Sequence, residues 1–422
     1  MRRGLALILC TLLAVALFVG CNNGTDTQTQ DPAQSPAQSP AQSPAQSPAQ
    51  SPAQPSPQAP SNPSSADDEF IIIGSIQDTT GPTAFLGNAM VNCFQYMVDD
   101  INAAGGINGK QVKFINYDTQ NDVQQAILAY RRLAEQDGAC VVLGSTISNI
   151  NIAVIPVSNE VRVPIVGLAV DPRCVFDDNG NLYEYSFIGQ IDANGQACAA
   201  GRIALDYLGV TKIGVLYNQG NAYAMSLTAP FIEYVESHGG VIFEEPFQDA
   251  DQDLRTQLTR LVNAGVETIY TPNQQAHQVI GILQAREVGF EGPMINNNGA
   301  YPQILEAGPD AENDIIFPYN IENDSAEVQA IIKRYMADYG APPAAQGFMA
   351  MDCFSLMKAA LEQCGTTNPE DVKNALIGAS IVGLQGRLTL NPGTHKPDGL
   401  PMYIVNIQNG LLVTLGVADT SP

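Results

Sequence analysis

The chain has 422 residues, 45% of them hydrophobic, enough for two or three ordinary domains with sizeable cores. Its formal charge is −24 with only 19 Lys and Arg, and no basic run occurs that would neutralise a row of phosphates. That balance argues against nucleic-acid binding and leaves the acidic surface as a solubility device.

Arg2 and Arg3 precede an apolar run over residues 5–19. This run is short for a membrane span and suits the apolar region of a signal peptide. Phe18-Val19-Gly20-Cys21 then resembles a lipobox, with a small residue before the cysteine that takes the lipid. The expectation is a signal peptide over 1–20, a lipidated Cys21, and a body displayed outside the cytoplasm on a membrane anchor. Residues 21–69 lack hydrophobic periodicity and contain Ser-Pro-Ala-Gln repeats beginning at Ser35, Ser39, Ser43, Ser47 and Ser51. Such a segment buries no core and favours extended, polyproline-like conformers with a contour of about 150 Å. It reads as a spacer between lipid and body.

From residue 70 the texture changes to alternating strand-like and helix-like segments. Residues 70–76 form an apolar run of buried-strand type, and 88–102 carry apolar side chains at helical spacing. Strands are expected at 111–117, 139–144 and 164–170, and helices at 123–136 and 148–160. A second unit of the same kind follows, with helices at 195–208, 224–238 and 253–264 and strands at 212–217, 241–246 and 268–271. Beyond it come helices at 326–339, 345–363 and 369–377, then strand-like stretches at 402–407 and 411–415. Strands alternating with helices predict an α/β architecture of two Rossmann-like units with parallel central sheets. Ligands of such sheets bind beyond the carboxyl ends of the strands, so the loops at 77–88, 145–150, 169–174, 218–223, 272–275 and 296–301 are the ones to examine.

Catalytic chemistry has no candidate. His238, His277 and His395 are far apart without metal-ligand spacing, and there is no GxSxG elbow. The run Gly105-Gly106-Ile107-Asn108-Gly109-Lys110 has some look of a phosphate loop but follows a helix and lacks the Ser/Thr, so it reads as a turn. No cofactor or metal is implied. Of eight cysteines, Cys93, Cys140, Cys174, Cys198, Cys353 and Cys364 lie in the body. Cys353 and Cys364 fall on one helix, too far apart to bond. Cys174 with Cys198 is the candidate disulfide, beside the alternative of buried free thiols.

Several segments, taken in order and spacing, resemble a known family. They are Thr80-Gly81-Pro82 followed by Gly87, the helix end from Asp100 through Ala104-Gly105-Gly106-Ile107-Asn108-Gly109, the strand end Tyr117-Asp118, and Gly144 ahead of Ser148. The chain is similar over residues 70–415 to the substrate-binding lipoproteins of ABC importers, specifically the branched-chain amino-acid-binding (Leu/Ile/Val-binding) family with the type I periplasmic-binding-protein fold. The resemblance implies two lobes joined by three crossings near Gly189, Pro318 and Leu384: residues 70–190 plus 319–383 as lobe 1, and 191–318 plus 384–422 as lobe 2. It implies a non-enzymatic receptor that captures a small-molecule solute in an interlobe cleft and delivers it to ABC permease subunits. A sensory ligand-binding subunit is the alternative; a hydrolase would need a nucleophile and base that the sequence does not offer.

The resemblance places ligand contacts at Leu86, Ser148, Asn149, Leu168, Ala169, Val170, Tyr223, Gln274, Asn298 and Gln346. Ser148 matches a serine at a helix N-terminus, where hydroxyl, free amides and dipole suit a carboxylate. Other positions depart from the family pattern. Val170 replaces a threonine, Gln274 a tyrosine, Asn298 the acid that pairs with the ligand ammonium, and Gln346 an apolar contact. The family's disulfide positions read Asn121 and Ile147, so that bridge is missing. An uncharged amide, a carboxylic acid without ammonium, and an amino acid gripped differently all remain open as ligands.

Overall fold

In a computed structural model, residues 70–274, 276–299 and 301–422 are described. Cys21 and the repeat segment lie outside them. The first unit comprises β1 (Phe70–Gln77), α1 (Ala84–Ala103), β2 (Gln111–Asp118), α2 (Val123–Glu135), β3 (Val141–Leu143), α3 (Ser148–Val161), β4 (Ile165–Gly167) and β5 (Ser186–Ile188). Its five strands run in the order β2-β1-β3-β4-β5, all parallel. Helices cover both faces, which is why β1 after Phe70 and β3 are buried along their whole length instead of alternating. Gly74 of β1 lets α2 settle close: a Cβ there would lie 2.9 Å from Leu133 Cδ1. Between α1 and β2, Ile107 and Lys110 exchange two backbone hydrogen bonds of 2.9 Å, and Gly105, Gly106 and Gly109 all have positive φ. The 105–110 run is therefore a tight turn.

The second unit comprises α4 (Ala193–Arg202, extended by a π-helical turn at Ile203–Tyr207), β6 (Lys212–Asn218), α5 (Ala222–Ser237), β7 (Val241–Phe247), α6 (Arg255–Ala264), β8 (Thr268–Tyr270), α7 (Ala276–Glu287), β9 (Met294–Ile295) and β10 (Ile315–Tyr319). The chain returns to the first unit as α8 (Ala326–Tyr339), α9 (Ala345–Cys364), α10 (Pro369–Leu376) and the hairpin β11 (Ser380–Gly383) and β12 (Gly386–Thr389), then finishes as β13 (Met402–Gln408) and β14 (Leu411–Ala418). The second sheet has seven strands in the order β14-β13-β10-β9-β8-β6-β7, with β13 antiparallel to both its neighbours, β10 and β14, and the other pairings parallel. Among the described residues no helix is long and apolar enough to cross a membrane.

Three passages join the units. The first is at 189–192, after Gly189 N–H donates to Gly167 O at 2.9 Å and before Asp192 caps α4. The second follows Tyr319, since Pro318 still pairs with Ile404 inside the sheet, and ends where α8 lies on α1: Asn92 Nδ2 donates to Tyr335 Oη at 3.2 Å, and Arg334 sits 3.8 Å over the Tyr96 ring. The third lies well beyond the expected Leu384. Leu384 and Gln385 donate their backbone N–H groups to Asp352 of α9, Ile188 N–H of β5 donates to His395 O, and the His395 ring stacks on Phe187 at 4.3 Å. Residues 384–397 thus stay with the five-stranded sheet, and the chain enters the other at Met402. The lobe boundary at 384 is corrected accordingly.

The Cys174–Cys198 bridge is also corrected. All six body cysteines are free. Cys174 is packed in the apolar cluster around β3 and β4, while Cys198 lies on α4 in the second unit, so each thiol is held by its own lobe's packing.

Candidate functional site

Loops that follow the carboxyl ends of strands in both sheets meet between the lobes, and the candidate site is built from them. On the lobe 1 side the loop after β3 is closed on itself. Ser145 N–H donates to Asn151 Oδ1 at 3.1 Å, Asn151 Nδ2 returns to Ser145 O at 2.8 Å, and Ile147 N–H donates to Ser145 Oγ at 3.0 Å. This fixes the start of α3. Its cap residue, Ile147, supplies no side-chain acceptor to the first-turn amides. Ser148, the first helical residue, is 1% exposed and its hydroxyl has no hydrogen-bond partner. A buried hydroxyl beside uncapped amides at the positive end of a helix dipole is a ready acceptor site for a carboxylate or carbonyl oxygen.

The lobes meet at this point. Asn149 Oδ1 accepts from Ala222 N–H, 3.0 Å away in the first turn of α5. Val170 packs with Ala193, Tyr223 and Leu227 in an apolar cluster that draws on both lobes. Leu168 and Ala169 are fully buried, and Leu168 O accepts from Gln190 Nε2.

Behind Tyr223 lies a chain of buried amides. Tyr223 is 5% exposed and its hydroxyl donates toward Asn298 Oδ1 at 3.3 Å and Gln196 Oε1 at 3.4 Å. Burial pushes its phenol far above the usual tyrosine range, so it stays neutral. Asn298 Nδ2 donates to Asn320 Oδ1 and, at 3.4 Å, to Gln190 Oε1. Gln196 Nε2 reaches the same Gln190 oxygen at 3.5 Å and Ile191 O at 3.0 Å. Asn297 and Asn273 extend the pattern, with Asn273 Nδ2 donating to Leu216 O at 2.8 Å. No charged side chain takes part in these bonds.

The remaining expected contacts divide. Gln346, at the start of α9, is 4% exposed and its Oε1 has no partner; its Nε2 lies 3.2 Å from where a Cβ on Gly299 would be, so it adjoins the Asn298-Gly299 loop from the other lobe. Gln274 is half-buried and accepts from Asn221 Nδ2 at 3.4 Å near the cleft edge. Leu86 is not with this group. It lies in the lobe 1 core with Ile76 and Ala89. Sequence reasoning missed Gln190, Gln196 and Asn320, whose one signal is amides next to the passages between lobes.

At the outer lip a cavity of about 540 Å³ is bordered by Asn149, Ile152, Arg173, Asn221 and Ala222. Another of the same volume lies at the second passage, bordered by Tyr301, Tyr319, Pro342, Met336 and Leu412, away from the Ser148 and Asn298 groups. Among the described residues no three His, Cys, Asp or Glu side chains are grouped to hold a metal.

The profile of one family, described as periplasmic binding protein, matches residues 71–411. The chain belongs to that family. Its two-sheet, three-passage topology is the type I form, as the resemblance implied. The family's members are solute-binding proteins and not enzymes, and their place is outside the cytoplasm. Among curated relatives, the Leu/Ile/Val-binding protein homolog 7 of Brucella abortus is 26% identical over 302 residues, 68% of this chain and 74% of that one. Among solved structures, the branched-chain amino-acid transporter substrate-binding protein LivJ of Streptococcus pneumoniae, in complex with isoleucine, aligns with a TM-score of 0.74 at 23% identity, covering 84% of this chain and 100% of that one. An ABC transporter solute-binding protein of Rhodopseudomonas palustris, in complex with benzoate, aligns with a TM-score of 0.73 at 18% identity, covering 83% and 96%.

Proposed function

We propose that this periplasmic binding protein is the extracytoplasmic solute receptor of an ABC-type importer, taking a small polar solute into the interlobe cleft and delivering it to permease subunits. The observation that carries the reading is Ser148: a buried, unpartnered hydroxyl at an uncapped helix N-terminus, in the turn where the lobes touch. A solute bound there contacts both lobes and so favours their closed arrangement. Membership of the family and the transporter proteins among its structural relatives support import as the use of that closure. In the same reading Cys21 carries a lipid, and the Ser-Pro-Ala-Gln segment lets the receptor reach its permease from a fixed anchor.

A thermal-shift screen of amino acids, amides and small organic acids identifies a ligand, because a cleft solute stabilises the folded protein by mass action. Calorimetry on Ser148→Ala then shows affinity weakened by about 1–3 kcal/mol through loss of a buried hydrogen bond. Unchanged affinity would remove Ser148 from the site. Replacing Cys21 with Ala moves the protein from the membrane fraction to the soluble one; retention on the membrane would sink the anchor.

A further inference from the structure

The cleft combines an acceptor-seeking end with a lining that has no negative charge to offer, and this restricts the ligand more than the family does. Four acids are buried among the described residues, and every one is committed elsewhere. Asp78 accepts from Thr83, Thr119 and the Asn121 backbone. Asp171 is paired with Arg173 through two side-chain hydrogen bonds. Asp192 caps Gly195 N–H and pairs with Lys396, and Asp352 holds Leu384 and Gln385.

What remains beside Tyr223 is a set of neutral amides. The oxygens of Gln190, Gln196, Asn298 and Asn320 already accept from Tyr223 or from one another. An ammonium buried there would lose its hydration and meet no compensating charge. A carboxylate is in the opposite position. The first turn of α3 presents uncapped amides, the positive end of the dipole and the free Ser148 hydroxyl. Gln346 Oε1 is a further buried acceptor without a partner, beside the Asn298-Gly299 loop, and would be completed by a neutral donor on the solute.

Resting on the proposal that the solute occupies this cleft, we infer that the ligand is a small carboxylic acid whose other polar groups are uncharged donors such as hydroxyls, and not an α-amino acid. Asn298 is then the residue that sets the preference, because its amide stands in the middle of the buried network where a carboxylate would supply the missing charge.

The test uses matched pairs with the full chain in calorimetry: lactate and alanine, 2-hydroxy-4-methylpentanoate and leucine, 3-phenyllactate and phenylalanine. The expected result is that at least one hydroxy acid binds, at least tenfold tighter than its amino counterpart, and that Asn298→Glu narrows or reverses the ratio. Asn298→Asp serves as a second variant should the longer side chain prevent folding. An amino acid bound as tightly as its hydroxy partner, with affinity sensitive to Ser148→Ala, overturns the inference and leaves the cleft reading in place. Hydroxy-acid binding insensitive to both Ser148→Ala and Asn298→Glu overturns the cleft reading itself. Binding of none of the six probes also counts against the inference.

Discussion

Asn149 and Ala222, from different lobes, are joined by a single 3.0 Å hydrogen bond from the Ala222 backbone N–H to the Asn149 amide oxygen. Two helix N-termini therefore face each other across the cleft mouth, and the side chain of one helix satisfies an orphan amide of the other. The bond exists only when the lobes are together. Removing it costs the closed form and leaves each lobe's own packing untouched.

Asn149→Ala is accordingly expected to leave the melting temperature of the free protein nearly unchanged while weakening solute binding by about 1 kcal/mol, roughly fivefold. Calorimetry reads this directly. An affinity equal to the parent's would mean that the bond contributes nothing to closure.

Asp352 is buried in α9 and receives the backbone N–H groups of Leu384 and Gln385 at 2.8 and 2.9 Å, with Gln385 Nε2 at 3.2 Å bonding on to Gly189 O at 2.9 Å. One carboxylate thus ties the β11–β12 turn to the first passage between lobes. Asp352→Ala strands these donors, and the expected loss of unfolding free energy is about 3 kcal/mol in a urea titration. A loss under 1 kcal/mol would show that water replaces the carboxylate freely.

His395 is buried against Phe187, with Nδ1 3.0 Å from Ser186 O. Burial holds its pKa below the usual 6.5, with Lys373 acting the same way; the carbonyls of Ser186 and Tyr183, and Glu184, oppose. The folded state binds the proton less readily than the unfolded chain. This contribution to stability is present above pH 6.5 and is lost as pH falls through that value toward the folded pKa. Thermal melts of the parent fall more steeply between pH 7 and 5 than those of His395→Gln; parallel slopes would contradict this.

The thiols of Cys93 and Cys140 are pushed up to about 12 by burial, and those of Cys174 and Cys353 are raised as well. With no body disulfide formed, reductant is expected to leave the melting temperature unchanged, and a thiol reagent to label these four only after denaturation. A drop in melting temperature with reductant would reveal a bridge.

The lobes were legible wherever one face of an element is apolar. The helix expected at 326–339 is α8, and the strand expected at 111–117 is β2 with one residue added. α7 escaped because His277, Gln278, Val279, Ile282 and Gln284 are all buried, so its sequence carries no single apolar stripe. The resemblance places Leu86 among the ligand contacts, whereas α1 begins at Ala84, ahead of the expected 88, and buries that side chain in the core. Ser148 was legible from a serine opening a helix directly after a strand. Gln190, Gln196 and Asn320 were not, since a buried amide reads in sequence like a surface one, and only the meeting of the two sheets' ends decides between them.

β1 is flanked on both edges, by β2 and by β3, and it is the first strand of the described body. Any pull transmitted along the chain from before Phe70 is therefore borne in shear by two rows of hydrogen bonds in lobe 1. Lobe 2 carries none of that load. On the proposed reading it is the member at liberty to swing, which would bring the Tyr223 and Asn298 loops toward a solute held at Ser148.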